Sequence, residues 1–301
     1  MSPPSRCDEE NGGYRAEYAA FLRSQVMNAP DTLQPVLVLA WHGIDANSTE
    51  RSTSQLTTWA EQQGAIVINI DAFSFQAELD QRNVTGGILG AFIRLDIPSL
   101  VEEHHLFARP NICKPEVLYT DSDGFFMNRI SAEDMQYVKQ AVHNSAETVV
   151  AYGAESQCNA SEIVNTGVMI MHVDRFRAEW PKMLEFAMAE PKFPVHDQAL
   201  LNAYFEQEGK DLLKKRASLP LVWNWKTYWP LPEGVWEAVK VLHFHGPKPG
   251  RGLWEMADCD IESPKYSFIT QIGICCTRGM VATKAKEIVD IVMKEETACF
   301  W

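Results

Sequence analysis

"VLYTDSDGFF", residues 117–126, runs three apolar residues and a threonine into two carboxylates, Asp121 and Asp123, with one residue between them. A strand sets residues two apart on the same face, so both carboxylates are expected to point to one side at the strand's end. Like charges held that close invite a cation. The same letters also spell a turn, because Asp and Ser side chains bond nearby backbone amides and Gly supplies positive φ. A second pair, Asp258 and Asp260, follows "RGLWEMA", which has no strand pattern, and reads as loop. Only company elsewhere in the chain lifts "DSD" above a plain turn.

The whole chain sets the frame. It has 301 residues, 46% of them hydrophobic, enough to bury a substantial core in one large domain or two small ones. No run of 18 or more uncharged apolar residues occurs, and "MSPPSRCDEENGG" has neither the basic start nor the apolar centre of a signal peptide. The expectation is a chain that is soluble as given, without a transmembrane segment. The formal net charge of −13, from 40 acidic against 27 basic residues, argues against a nucleic-acid binder that tracks phosphates. Any phosphate is then met locally, through a metal or a few basic side chains. Seven cysteines, including the adjacent Cys275 and Cys276, show no zinc spacing, and the odd count fits free thiols better than a full disulfide framework. Glycosylation sequons begin at Asn47, Asn83 and Asn159. They suit a secretory protein, although chance supplies about one or two in any such chain.

Helical and strand patterns alternate through the first two thirds, which predicts an α/β layer architecture around a mostly parallel sheet flanked by helices. "YRAEYAAFLRSQV" places Tyr14, Tyr18, Phe21 and Leu22 on one helical face, and "PVLVLA" reads as a buried strand. "SQLTTWAEQQG" is a short helix ended by Gly64, "AIVINI" the next strand, and "GGILGAFIRLDIP" a helix broken at Pro98. After Ser131, with Asp134 three residues on, a capped helix is expected to about Val142. "TVVAY" and "GVMIMHV" are strand candidates, and "DRFRAEWPKMLEFAMAE" is helical. The end of the chain, "VATKAKEIVDIVMKE", is an amphipathic helix whose Val281, Ala285, Ile288, Val289 and Val292 read as core packing.

Four further stretches accompany the acidic pair. "VLHFHGPKP" puts His243 and His245 at the end of an apolar run, followed by Gly246 and Lys248. Imidazole completes a carboxylate site for a borderline cation such as Mn²⁺, glycine lets backbone approach an anion, and lysine neutralises a phosphate. "NTGV" combines Asn165 with a glycine and reads by itself as a turn. "HDQALLN" sets Asp197 and Gln198 near a helix start, where Asp is an ordinary N-terminal residue. "IRL" sets Arg94 on an apolar helix, where snorkelling to water is the plain alternative.

Together and in this order, "IRL", "LYTDSD", "VNTGV", "HDQALLN" and "HFHGPKP" resemble the motifs of the retaining glycosyltransferases of family 8, the group of glycogenin and bacterial galactosyltransferases. The resemblance covers roughly residues 14–250. It implies a GT-A, Rossmann-like domain over 1–250, with residues 251–301 as an irregular C-terminal extension ending in the amphipathic helix. It also implies a nucleotide-sugar donor, usually UDP-linked, held through Mn²⁺ or Mg²⁺. Carried over by position, Asp121, Asp123 and His243 would ligate the metal, and Gly246 and Lys248 would hold the diphosphate. Arg94, Asn165, Asp197 and Gln198 would surround the donor sugar, Asp197 and Gln198 in the catalytic positions. Gln198 is a poor nucleophile, so attack of the acceptor from the leaving-group side is favoured over a covalent intermediate on Asp197.

Two departures from the pattern stand out. The family places two residues between the last glycine and lysine, whereas "GPK" has one, which leaves His243 or His245 as the ligand. Family members also open with a nucleoside-cradling strand, and "MSPPSRCDEENGG" contains no apolar strand. A truncated start would place the protein in the Golgi or secretory lumen, and a complete one in the cytoplasm. Trp223, Trp225, Tyr228 and Trp229 read as either a stacking platform for a sugar acceptor or core. Two other functions fit parts of the pattern: a catalytically inactive binding module, and a haloacid-dehalogenase-type phosphatase with Asp121 as nucleophile. The phosphatase needs a later Gly-Asp, and the sequence contains none. Donor sugar, acceptor, linkage and oligomeric state are not written in these motifs.

Overall fold

The computed structural model describes residues 13–29, 33–40, 56–84, 88–109, 115–155, 164–189, 197–207, 211–226, 229 and 234–244. His245, Gly246, Lys248, Tyr228, Asp258, Asp260, the cysteine pair and the C-terminal helix lie outside them.

The first elements among the described residues are α1 (Gly13–Asn28), β1 (Val36–Ala40), α2 (residues 56–62) and β2 (Ile66–Ile70). Gly64 ends α2 at φ 85°, a conformation that costs glycine nothing. Then come α3 (Gln76–Gln81), α4 (Ile88–Ala91), α5 (Ile93–Glu103), β3 (Glu116–Thr120), β4 (Gly124–Phe126) and α6 (Ala132–His143). Ser131 caps α6 as expected, its side chain accepting from Asp134 N while the Asp134 carboxylate accepts from Ser131 N. The rest comprises β5 (Val150–Ala154), β6 (Val164–His172), α7 (Val173–Ala189), α8 (Asp197–Phe205), β7 (Arg216–Ser218), β8 (Trp225–Lys226) and β9 (Val241–His243). No helix among the described residues is long and apolar enough to cross a membrane.

The architecture is mixed α/β, but the expectation of a mostly parallel sheet is wrong. Strands β1 and β2 form a parallel pair, a second sheet runs β3-β6-β5-β7, and a third runs β4-β9-β8. Three of the six pairings, β3 with β6, β5 with β6 and β4 with β9, are antiparallel. Connection length explains part of this. Ala154 and Val164 end and begin consecutive strands that are too close in sequence for the dozen or more residues a parallel crossover needs.

Strand β6 is the spine. All its residues but His172 are buried, and it carries neighbours on both edges, which is why it reads as a nearly continuous apolar run. "NTGV" is therefore not a turn before a strand. It sits inside β6 at a bulge, where the partner of β5 jumps from Met169, opposite Tyr152, to Asn165, opposite Gly153. The extra residues re-aim Asn165 and Gly167 toward the site described below.

Pro98 does not break its helix either. α5 continues through it to Glu103, because Leu95, Ile97, Leu100 and Val101 are buried against the core. That packing outweighs the roughly 3 kcal/mol a proline costs in a helix interior. Trp223, Trp225 and Trp229 are buried in apolar clusters, Trp225 and Trp229 edge to face at 5.6 Å, so these three serve as core.

Candidate metal centre and adjoining cleft

The "DSDG" stretch satisfies both of its readings. β3 ends at Thr120, and Asp121 opens a turn in which its carbonyl accepts from Gly124 N at 3.0 Å. Asp123 is thus on the turn and not on the strand. The carboxylates converge all the same, because β4 pairs with β9 and sets Gly124 opposite His243. Phe244 N donates to Asp123 O at 2.8 Å and locks the register. One ligand atom each from Asp121, Asp123 and His243 then lies within 4.8 Å of the others, with Asp123 and His243 buried. His243 Nε2 is 3.2 Å from Asp123 Oδ1. Two carboxylates and an imidazole are the donor set of a small divalent cation such as Mn²⁺.

Arg94 holds the first carboxylate in place. It does not snorkel: it is 4% exposed, with Nη2 2.7 Å from Asp121 Oδ1, Nη1 donating to Thr166 O and Nε 3.1 Å from Asp197 Oδ2. Burial works against the cation, but Asp121 above all, then Tyr119, Asp197 and Asp123, outweigh it and hold the guanidinium above its ordinary value. Tyr119 lies under Arg94, with the guanidinium carbon 4.7 Å from the ring centroid, and its hydroxyl donates to Asp121 Oδ1 at 2.7 Å. Burial pushes that phenol well above its usual range, so it stays protonated and a donor. Burial likewise raises Asp197, with Arg94 opposing.

Behind this layer runs a second network. Gln198 Oε1 accepts from Asn165 Nδ2 at 3.2 Å and from Thr166 N at 3.3 Å. Asn165 also donates to Glu155 Oε2 at 2.7 Å, and its Oδ1 accepts from Asn224 Nδ2 at 3.0 Å and from Gly167 N at 3.1 Å. Asn224 Oδ1 and Lys226 Nζ each lie 2.9 Å from His243 Nδ1. Two glycines make room. A Cβ on Gly167 would sit 2.1 Å from His243 Cε1, and one on Gly153 would sit 2.1 Å from Asn224 Nδ2.

All seven described residues singled out from the sequence, Arg94, Asp121, Asp123, Asn165, Asp197, Gln198 and His243, therefore belong to one connected network. Sequence reasoning missed Tyr119, Glu155, Asn224 and Lys226. "WNWK" carried a signal, since Asn and Lys between tryptophans in an apolar stretch are buried only when paired. Tyr119 carried none, because an aromatic residue on a strand is ordinary.

A cleft of about 860 Å³ adjoins the centre, with Arg94, Tyr119, Asp121 and Asp123 on its wall. Val36, Leu37 and Val38 of β1 line it consecutively, as do the residues of β3 from Glu116 to Thr120. Strand faces contribute alternate residues, so consecutive lining means that strand edges front the cleft. Asn165, Asp197, Gln198 and His243 do not line it. No family model and no curated protein sequence matches the chain.

Proposed function

We propose that the protein is a metal-dependent glycosyltransferase of GT-A type that takes a UDP-sugar donor and retains anomeric configuration. The observation that carries this reading is the convergence of Asp121, Asp123 and His243 to within 4.8 Å, joined through Arg94 to Asp197. A divalent cation held by that triad would neutralise the charge that builds on a departing diphosphate. The protein's own groups do the rest. Asp121, held in place by Arg94 and Tyr119 through Oδ1, would be one of the two carboxylates that hold the cation. Gln198, whose Oε1 already accepts two hydrogen bonds, has no basicity to spare for covalent attack. Asp197 and Gln198 instead position the sugar and offset the positive charge of its breaking bond, while the acceptor enters from the leaving-group side. The cleft against Asp121 and Asp123 takes the nucleoside, and Gly246 and Lys248 take the diphosphate.

Calorimetric titration of UDP with and without Mn²⁺, repeated on Asp123→Ala, tests the proposal. Binding that requires the metal and disappears in the variant is expected, followed by donor turnover in a screen of UDP-sugars. No UDP binding under either condition would overturn it, and metal-dependent binding without turnover of any donor would mark a non-catalytic binding module.

A further inference from the structure

Lys226 is an unusual neighbour for a metal-binding histidine. It is fully buried, and its Nζ lies 2.9 Å from His243 Nδ1, the nitrogen turned away from Asp123. Asn224 Oδ1 stands at the same 2.9 Å from the same atom. A single ring nitrogen cannot serve both. Asn224 Oδ1 accepts and needs a proton on Nδ1, whereas the Lys226 ammonium donates and needs Nδ1 bare. Asn224 cannot turn its amide round to escape the conflict, because its Nδ2 donates to Asn165 Oδ1 at 3.0 Å and to Ala154 O at 3.3 Å.

The two choices have opposite consequences at the other side of the ring. In the neutral ring, a proton on Nδ1 toward Asn224 leaves Nε2 bare, facing Asp123 as a metal ligand. With Nδ1 accepting from Lys226, Nε2 carries the proton, 3.2 Å from Asp123 Oδ1, and cannot bind a metal. Lys226 also has somewhere to go, since its Nζ is 4.0 Å from Glu155 Oε2. Glu155 in turn accepts from Asn165, the residue that anchors Asn224.

We propose that Asn224 and Lys226 are positioning residues that select the tautomer of His243: Lys226 holds it in the non-ligating form when the centre is empty, and Asn224 holds it in the ligating form when a divalent cation is bound. The ring keeps one proton throughout and moves it from Nε2 to Nδ1, while the Lys226 ammonium turns toward Glu155. The arrangement opposes cation binding, keeping the cation exchangeable. It rests on the metal-centre reading given above.

Selective ¹⁵N labelling of histidine reads the tautomer directly, with the His243 signals assigned by their loss in His243→Ala. In the metal-free wild type, His243 is expected as the Nε2–H form, converting to Nδ1–H on addition of Mg²⁺. Metal-free Lys226→Met, an apolar change of similar length, is expected to show Nδ1–H already and to bind Mn²⁺ about tenfold more tightly, and Asn224→Leu to bind it about 10–100-fold more weakly. Metal-free His243 as Nδ1–H in the wild type, or still as Nε2–H in Lys226→Met, would overturn the selector whatever the cation does. Tautomer switching between wild type and Lys226→Met in a protein that binds neither Mg²⁺ nor Mn²⁺ would sink the metal-centre reading and leave the hydrogen-bond selection standing.

Discussion

Replacing Gly167 with alanine puts a Cβ 2.1 Å from His243 Cε1, 2.7 Å from Nδ1 and 2.9 Å from Nε2. Carbon atoms rest at about 3.5 Å or more, so the ring must retreat by about 1.4 Å or the β6 backbone must shift. The ring is 3% exposed and tied at 2.9 Å to Asn224 and Lys226, and a retreat of that size takes those contacts past hydrogen-bonding range. Overpacking of this kind costs about 1–3 kcal/mol, and a lost buried hydrogen bond adds about 1 kcal/mol, giving an expected loss of about 2–4 kcal/mol in urea unfolding. Mn²⁺ affinity should fall with it. Gly90→Ala is the control, since a Cβ there meets nothing within 4 Å and the change, on a helix, should be neutral or stabilising by up to about 1 kcal/mol. The decisive measurement is the double-mutant cycle. In a His243→Ala background the methyl group has room, so Gly167→Ala should cost at least about 1 kcal/mol less there. An equal cost in both backgrounds, or wild-type stability and metal affinity in the single variant, would refute the packing argument.

Three other outcomes follow from the same network. Arg94→Met strips the half-buried Asp121 and the buried Asp197 of their counter-ion and should destabilise by about 3–5 kcal/mol in chemical denaturation, with Mn²⁺ binding impaired in whatever remains folded. Glu179, buried on α7, works against its desolvation through hydrogen bonds from Lys215, Tyr204 and Lys182, which hold its carboxyl below the ordinary value. A lowered folded pKa stabilises above the unfolded value, near pH 4.3, and that contribution fades as pH falls through the folded one. Glu179→Gln should therefore cost about 2 kcal/mol at pH 7 and progressively less toward pH 3, as read from melting curves across that range. Ser131→Ala removes the cap of α6 and should cost about 0.5–2 kcal/mol in thermal unfolding, leaving Mn²⁺ affinity unchanged.

Much of this protein is legible residue by residue. The strands "VLVLA" and "IVINI", the cap at Ser131, the stop at Gly64 and the start of α8 at Asp197 follow from short-range rules, because hydrophobic period, capping oxygen and positive φ act within a turn or two of chain. Arg94, Asp121, Asp123, Asn165, Asp197, Gln198 and His243 could be singled out from their motifs taken together, and the structure joins them in one network, although each motif alone also spells an ordinary turn, cap or helix residue. Strand direction, by contrast, depends on which distant segments pair, and the alternation of helix and strand misled on that point. Pro98 sits in a helix because the core packed around it repays the lost bond. The two readings of "DSDG" became compatible only when β9 brought His243 across from Gly124. Lys226 and Asn224 show the same limit most plainly. Their types say that they must be paired once buried, but pairing is a matter of ångströms between residues far apart in the chain. Local sequence offered seven candidate groups, because residue type and short-range pattern are written along the chain; tertiary packing decided that they meet, which further residues join them and which atom of His243 faces which partner, because those depend on pairings between distant segments.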